Sequence, residues 1–325
     1  LWHTLSLHDA LPIFNNPRCL LKALEGDPER FSDFDDVLGS YRQQLAVELK
    51  DRFQRTYAKD QRNAENTPHP FVSLLFDDCL ERGIDITKGG VRHNLTSISE
   101  AGTITAANSL YVIKKAVFED QIFTMAQLKD AIDKNFEGYE WIRSYCINKV
   151  PKFGNDLDEV DEFTAAIVEM NHTVVEDLNM KNFMGGTYII GSGGAHTWKD
   201  GQHVGATPDG RLAGVSYSVS YGPSNGTDTK GATAMLNSVS KLNFIHQPGG
   251  ALTHVQLPYS GNASPSKAAT LSALVSTFFQ QGGMGIHFSV VNKDLLLAAL
   301  EDPQNHLNVM VRVGGFSAPF VLLSD

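Results

Sequence analysis

The sequence lacks the features that mark membrane, secreted and metal-binding proteins. No window approaches the roughly 18 consecutive apolar residues that a membrane span needs. The N-terminus has no basic start followed by an apolar run and a small-residue cleavage site. The three cysteines, Cys19, Cys79 and Cys146, form no C-x-x-C pair, which argues against a disulfide framework, a zinc site or an iron–sulfur cluster. These absences predict a cytoplasmic protein.

Basic residues are also scarce relative to acidic ones. The 27 Lys and Arg residues against 37 Asp and Glu residues give a net charge of −10, and no long basic run is present. A surface for nucleic acid or for an anionic membrane is therefore not expected. The hydrophobic content of 42% over 325 residues suffices for a sizeable core. A small molecule is the expected ligand.

Both ends of the chain look cut. It begins at Leu1 without a methionine, and residues 1–13 bear no clear relation to the rest of the chain, so we expect a non-native leader there. It stops at Asp325, directly after an apolar segment, which predicts a fragment. We expect a mainly helical part over 14–182 and an α/β part over 183–325.

Helical spacing dominates the first part. Over 17–60, Phe34, Val37, Leu38, Tyr41 and Leu45 fall on one helix face, with Ser32 or Asp33 as the N-cap. A polar stretch at 59–67 is expected to separate these helices from the next. Further helices are predicted over 69–83, 103–120, 124–138 and 158–178.

The character changes near residue 183, where glycine, serine and threonine become frequent. The runs at 187–191 and 217–221 are predicted to be buried strands. Strands over 249–260, 285–292 and 307–316 then alternate with helices over 266–283 and 293–304. This alternation predicts parallel strands with helices outside them.

Several motifs argue against common functions. "GSGGAH" (191–196) has two glycines of a dinucleotide fingerprint but carries His196 where a third glycine is needed, and "GTDTKG" lacks the end of a phosphate loop. His196 and His203 form no metal-binding cluster. Asp209 and Arg211 in "PDGR" predict a structural turn with an ion pair.

The paired glycines Gly314 and Gly315 lie inside an apolar strand-like segment, "VRVGGFSAPF". Glycine weakens a strand interior, so such a pair marks a bulge, a tight turn or a close backbone approach. Residues 312–316 resemble the R-V-x-G-[FY] signature of glycyl radical enzymes, the pyruvate formate-lyase superfamily. Further blocks resemble that family in the same order, at 81–94, 148–156, 205–214, 222–242 and 300–324.

The resemblance implies that Gly315 stores a radical at its α-carbon and that Gly314 needs only to be small. Arg312, Val313 and Phe316 then support the radical loop. A carbon radical between an amide nitrogen and a carbonyl must flatten, and a side chain would hinder this. The family's S-adenosylmethionine-dependent radical activating enzyme installs the radical after translation and itself carries the iron–sulfur cluster, so no bound cofactor or metal is expected here.

The resemblance also implies that the family's catalytic cysteine lies upstream of these residues, because the segment around Cys19 resembles a helix that follows the cysteine loop in family members. Residues 183–203 and 253–259 are candidates to line the substrate cavity. The implied fold is the second half of a ten-stranded α/β barrel of the glycyl radical enzyme type with outer helices, and its glycine radical domain spans about 200–325.

The implied activity is anaerobic radical cleavage of a C–O, C–N or C–C bond by a lyase or dehydratase. Formate C-acetyltransferase, a non-catalytic glycyl radical donor subunit and a sugar- or nucleotide-binding α/β module are the alternatives. The expected partners are the activating enzyme, a small-molecule substrate and a second copy in a homodimer. The isolated fragment is expected to be inactive.

Overall fold

The structure is a computed structural model, and it describes residues 13–192, 197–258, 264–313 and 316–323. The first 12 residues lie outside this description, so the expected leader stays a prediction, although Ile13 pairs with Ser99. No helix in the described ranges is long and apolar enough to cross a membrane.

Parallel strands form the centre of the fold. Three of them pair in chain order: β1 (Ile13–Asn15), β2 (Leu95–Ala101) and β3 (Thr187–Gly191). Two more pair in parallel with each other, β4 (Thr253–Pro258) and β5 (Ile286–Val291).

A parallel bridge between Ser192 and Ala251 joins the two strand groups. Ser192 directly follows β3, and Ala251 lies two residues before β4. The bridge therefore links the end of β3 to the segment just before β4, and helices lie in the connections between the strands. This is the α/β arrangement that the strand and helix alternation predicted, with β1 and β2 supplied by the part expected to be mainly helical.

The α-helices of the described residues are α1 (Asn16–Ala23), α2 (Phe34–Asn66), α3 (Pro70–Ser73), α4 (Asp77–Arg82), α5 (Thr103–Val112), α6 (Met125–Asp133), α7 (Glu140–Asn148), α8 (Asp158–Leu178), α9 (Thr197–Gln202), α10 (Gly231–Ser240), α11 (Pro265–Gln280) and α12 (Lys293–Glu301). A π-helical segment, Ile113–Glu119, continues α5.

Helix α2 confirms the predicted face and corrects the predicted end. Asp33 caps it by accepting from the Asp36 N–H, and one stripe along its length is fully buried: Val37, Tyr41, Leu45, Leu49 and Phe53. The polar stretch at 59–67 does not interrupt the helix. Its residues contain no glycine or proline and favour helix on a solvated surface, so α2 ends at Asn66, just before the Thr67–Pro68 step.

Two predicted strands are wrong. Residues 217–221 are irregular, because Ser220 has a left-handed φ of 50° and the Ser218 N–H donates to the Thr105 hydroxyl at 3.2 Å rather than to a strand. The segment predicted as one strand over 307–316 contains only β6 (Met310–Val313), which pairs antiparallel with β7 (Phe316–Pro319).

The hydrophobic core lies between the sheet and α1, α2, α5 and α8. The Phe53 ring of α2 stacks on the Tyr188 ring of β3, with centroids 4.1 Å apart and planes 2° from parallel. The Tyr188 hydroxyl also donates to the Phe53 carbonyl at 2.9 Å. This packing places one face of the sheet against the helices. The opposite face of the sheet carries several polar side chains.

Candidate active site

The two faces of the sheet differ in chemistry. Side chains alternate along a strand, and the members facing the helices are apolar, including Phe14, Ile98, Ile190 and Val255. The alternate positions form what we call the polar face: Ser97, Ser99, His254, Gln256, His287 and Ser289. The register pairs His254 with His287 and Gln256 with Ser289, whereas Ser97 and Ser99 lie opposite Ile189 and Gly191. A sheet with one core face and one polar face is suited to line a cavity.

Two histidines lie next to each other on the polar face. His254 of β4 is directly opposite His287 of β5, and their ring centroids are 5.0 Å apart. Burial first, and then the neighbouring His287, lowers the pKa of His254, so its imidazole is neutral at pH 7. His254 Nε2 is buried and has no hydrogen-bond partner among the described residues. A neutral imidazole can donate or accept one hydrogen bond to a polar group.

A cleft of about 500 Å³ adjoins β4. Its polar walls are His254, Gln256 and the loop over 222–231, and apolar side chains, among them Val219, Met235, Val255 and Leu257, complete the lining. The loop belongs to one of the blocks that carry the family resemblance. Carboxamide, hydroxyl and imidazole groups in one cleft favour a polar small molecule over an apolar one.

Asn155 holds that loop in place. Its Oδ1 accepts from the backbone N–H groups of Thr229, at 2.9 Å, and Lys230, at 3.2 Å. Its Nδ2 donates to the Thr227 carbonyl at 2.7 Å. The blocks 148–156 and 222–242, which are far apart in the chain and each resemble the family, therefore form one unit.

Gly154 allows the two blocks to approach each other closely. Its φ is +99°, and an added β-carbon would lie 2.7 Å from the Pro223 side chain. A side chain at this position would meet both a disfavoured backbone conformation and a steric clash. The glycine is required by this packing and not by any chemistry of its own.

A buried carboxylate, which was not identified from the sequence, anchors the end of β2. Glu100 Oε1 accepts from the Tyr221 hydroxyl at 2.7 Å. Its Oε2 accepts from Asn171 Nδ2 at 2.7 Å and from the Thr103 hydroxyl at 2.9 Å. Burial raises the pKa of Glu100, while these hydrogen bonds act in the opposite direction. The signal available in the sequence was a lone glutamate inside the apolar "LTSISEA" strand.

The "PDGR" turn has a structural role. The Thr207 hydroxyl donates to Asp209 Oδ1 at 2.6 Å, and Arg211 Nε donates to the Thr207 hydroxyl at 3.3 Å. The predicted ion pair is wrong, because no ion pair within the described ranges joins Asp209 to Arg211. Arg211 instead donates to four backbone carbonyls of residues 204, 205, 212 and 215 and stacks over the Tyr217 ring. Both residues therefore shape a fixed loop.

The paired glycines fall between two antiparallel strands. Val313 pairs with Phe316, and the two residues between them, Gly314 and Gly315, lie outside the described residues. The same applies to the side chains of Arg312, Val313 and Phe316, so the predicted roles in this segment stay predictions. We call β6, β7 and the two residues between them the glycine hairpin.

The glycine hairpin lies beside β5. Val309, Met310 and Val311 line a cleft together with Val290 of β5 and Leu295 of α12. The Phe320 N–H donates to the Val309 carbonyl at 2.7 Å, which ties the two ends of the hairpin together. The hairpin therefore stands at the β5 edge of the sheet.

The cysteines are structural. Cys19 lies on α1, as predicted, and burial followed by the charge of Glu48 raises its pKa to about 12. Burial raises the pKa of Cys146, on α7, to about 12. Cys79 is buried on α4. The raised pKa values keep the thiols of Cys19 and Cys146 protonated, which makes them poor reactive groups.

Two segments, 183–203 and 253–259, were predicted to line the substrate cavity, and they lie in different parts of the structure. His254 and Gln256, within 253–259, lie on the polar face, and Ile189 of 183–203 lies opposite Ser97 of that face. His196, its neighbours 193–195, and Tyr259 lie outside the described residues. No group of three or more His, Cys, Asp or Glu residues in the described part is arranged to hold a metal ion. Four members of the polar face were not identified from the sequence, although two-residue alternation in their strands could have identified them: His287, Ser289, Ser97 and Ser99.

Comparison with known proteins assigns the chain to two domain families. The model of the family "Pyruvate formate lyase-like" matches residues 20–193. The model "Glycine radical" matches residues 218–321. The second match includes the glycine hairpin and the loop beside β4.

Curated relatives cover nearly the whole chain. Trans-4-hydroxy-L-proline dehydratase of Clostridioides difficile is 33% identical over 92% of this chain and 38% of its own length. Isethionate sulfite-lyase of Desulfovibrio desulfuricans is 31% identical over 92% of this chain and 36% of its own length. The chain thus spans about two fifths of the length of these relatives.

Solved structures agree. The B12-independent glycerol dehydratase of Clostridium butyricum matches with a TM-score of 0.92 at 30% identity. The match covers 96% of this chain and 41% of the dehydratase chain. The hydroxyproline dehydratase of Clostridioides difficile, with trans-4-hydroxy-L-proline bound, has a TM-score of 0.91 at 31% identity over 96% of this chain and 41% of its own. The strand and helix arrangement of this chain is therefore that of these enzymes.

Proposed function

The chain belongs to the glycyl radical enzymes of the pyruvate formate-lyase type, and from this premise we propose that it is part of a radical dehydratase or lyase acting on a small polar metabolite. The observation that carries the proposal is the pair of family matches along one chain, 20–193 and 218–321. The dehydratases and lyases among its relatives, each covering 92% or more of the chain, support this type of reaction.

Gly315 is the proposed radical site. The α-carbon radical at Gly315 takes a hydrogen atom from a cysteine thiol, and the thiyl radical that this leaves abstracts hydrogen from a substrate carbon. The substrate radical loses its neighbouring hydroxyl group, which leaves with a proton as water, and the product radical takes a hydrogen atom back from the thiol. The cycle eliminates water and needs no external oxidant. The thiol would come from sequence beyond these residues, because the three cysteines here are buried in helical packing.

The polar face supplies the groups that such a substrate needs. Gln256 and Ser289 face each other across β4 and β5, and His254 lies beside His287 with a neutral ring. These side chains can hydrogen-bond hydroxyl or amine groups without adding charge. We propose that the substrate lies against this face, with the glycine hairpin approaching from the β5 edge.

The proposed partners follow from the radical. A separate S-adenosylmethionine-dependent activating enzyme would remove the Gly315 hydrogen, and the active protein would be a homodimer in the cytoplasm. A donor subunit without catalysis is disfavoured, since such a protein would not need the long helical region that matches the pyruvate formate lyase-like family.

The test is anaerobic activation of the protein expressed from its complete gene. An electron paramagnetic resonance doublet from a glycyl radical is expected, followed by consumption of one member of a panel of 1,2-diols, hydroxylated amino acids and hydroxysulfonates. Formate and acetyl-coenzyme A formation from pyruvate would instead assign the protein to formate C-acetyltransferase. A radical signal with no turnover of any panel member or of pyruvate would contradict the enzyme proposal.

A further inference from the structure

A cleft of about 550 Å³ opens at the edge of the sheet formed by β1. We call it the basic cleft, and its wall residues are Ile13, Asn15, Arg18, Arg52, Asp200, Gln202, His203 and Val204. It lies at the opposite edge of the sheet from the glycine hairpin, which adjoins β5. The dehydratase proposal assigns this cleft no role.

One carboxylate, Glu48, lies close to three cations, two of which, Arg18 and Arg52, line this cleft. Glu48 is only 11% exposed, and its Oε1 accepts from Arg18 Nη2 at 2.6 Å. The same oxygen lies 3.1 Å from Arg52 Nη2, and Lys22 Nζ lies 4.0 Å from Oε2. A guanidinium carries five N–H donors, so a single shared oxygen leaves both arginines with donors to spare.

The charged side chains on the cleft wall, taken with the described ones that pair with them, carry a small positive excess. Arg18, Lys22 and Arg52 bring three positive charges, whereas Glu48 and Asp200 bring two negative ones. The Arg18 Nε is buried and has no hydrogen-bond partner in the described part of the chain. The Arg18 side chain is nevertheless 40% exposed, so its other N–H groups remain accessible to an anion that enters the cleft.

We propose that the basic cleft binds a small molecule through a carboxylate, sulfonate or phosphate group. Arg18 and Arg52 would hold the oxyanion, since guanidinium groups bind planar and tetrahedral oxyanions with paired hydrogen bonds. The Gln202 side chain offers an amide beside them, and the cleft volume accommodates a ligand of metabolite size. This site is independent of the radical chemistry.

Binding can be measured on the protein expressed from its complete gene, purified in air and never activated. Sulfate, phosphate and acetate are each titrated at constant ionic strength against sodium chloride, with calorimetry and the thermal midpoint as readouts. Saturable binding of at least one oxyanion is expected, and a bound ligand raises the midpoint. A preference for acetate would indicate a carboxylate ligand, and a preference for sulfate or phosphate a tetrahedral one.

Three variants test the assignment. Arg52→Gln should weaken oxyanion binding by about tenfold, the effect of losing a charged hydrogen-bond donor. Arg55→Gln is the matched control on the same helix, because Arg55 pairs with Asp51 and is 72% exposed, and it should leave binding unchanged. Glu48→Gln removes the competing carboxylate and should tighten binding.

The Glu48 variant separates a ligand site from a purely structural ion cluster. If the cluster were only structural, Glu48→Gln would lower the thermal midpoint without improving oxyanion binding. That result would overturn the proposal. So would sulfate, phosphate and acetate binding no better than chloride, or Arg52→Gln and Arg55→Gln weakening oxyanion binding equally. Since no activation is involved, failure here leaves the dehydratase proposal intact, and the reverse also holds.

Discussion

At the scale of single residues, the two adjacent glycines, Gly314 and Gly315, are expected to have different roles. In the proposed mechanism, Gly315 supplies a hydrogen atom and then flattens as a radical, whereas Gly314 needs only to be small. In the activated protein, Gly315→Ala should abolish both the electron paramagnetic resonance doublet and turnover, because a methyl group would crowd the planar radical and the approaching sulfur.

The matched variant Gly314→Ala should leave the doublet and most of the activity in place. The measurement is the spin count per protein chain beside the turnover rate. A surviving doublet in Gly315→Ala, or its loss in Gly314→Ala alone, would move the radical to a different residue.

Gly154 makes a purely steric prediction. Gly154→Ala places a β-carbon 2.7 Å from the Pro223 side chain and should destabilise the protein by about 2 kcal/mol or more, from overpacking and left-handed strain together. Gly138→Ala is the control, because Gly138 also has a positive φ, of 76°, but has open space around it.

The excess destabilisation of Gly154→Ala over Gly138→Ala, measured by denaturant unfolding, reports the clash alone. If the two variants unfolded at the same denaturant concentration, the close approach of the 148–156 and 222–242 blocks would not be a constraint in solution.

At the scale of elements, Glu100 connects a strand with several helices. Asn171 comes from α8 and Thr103 from α5, while Tyr41 of α2 enters through Asn16, whose Oδ1 accepts from the Tyr41 hydroxyl at 2.8 Å. A single carboxylate can satisfy this many donors because both of its oxygens accept hydrogen bonds. The end of β2 is therefore set by polar contacts inside an otherwise apolar core.

The raised pKa of Glu100 predicts a pH-dependent stability. The group binds its proton more tightly when folded, so its contribution is fully present below the ordinary pKa of 4.5 and is lost as the pH rises through the raised value. Glu100→Gln stays neutral throughout. Wild-type stability relative to Glu100→Gln should therefore decline from pH 4.5 to pH 8, by about 1.4 kcal/mol for each unit of raised pKa.

The exposed Glu137→Gln serves as the control and should show no such trend. Unfolding by urea at pH 4.5, 6 and 8 measures the difference for both variants. A wild-type advantage that grows with pH would mean that the hydrogen bonds outweigh burial and that the pKa of Glu100 is lowered instead.

At the scale of the whole molecule, we expect catalytic activity to depend on sequence beyond these residues. The 325 residues alone should turn over none of the relatives' substrates, because radical transfer needs a thiol beside Gly315 and Cys19, Cys79 and Cys146 are buried in helices. The check is an anaerobic assay of the 325-residue chain with activating enzyme present. Any turnover dependent on Gly315 would refute this expectation.

Exposure of the activated protein to air provides a second test, of where in the whole protein the radical lies. Oxygen adds to a carbon radical, so the doublet should disappear and the backbone should be cut at Gly315, releasing a tail that begins close after it. Mass spectrometry of the products locates the cut. Cleavage elsewhere, or none despite loss of the signal, would contradict the assignment of the radical to this residue.

The family and most helices could be predicted from the amino-acid order, and the radical site at Gly315 stays a prediction from the same source. Glycine pairs, caps and four-residue apolar spacing are local features: Asp33 caps α2 through a residue three positions away, and the Val37 to Phe53 stripe follows from helical geometry alone. The R-V-x-G-[FY] resemblance is likewise contained in five consecutive residues. Such information survives without any knowledge of what the chain packs against.

The tertiary structure alone decided the arrangement of the polar face and the supporting contacts. His254 and His287 are 33 positions apart and became neighbours only through the parallel register of β4 and β5. Glu100 looked like an ordinary strand residue until donors from distant helices surrounded it, and residues 217–221 lost their predicted strand because their N–H groups and side chains found partners at the start of α5. Hydrogen bonds between distant segments, and the burial of one segment against another, depend on the fold. Local sequence patterns do not predict them.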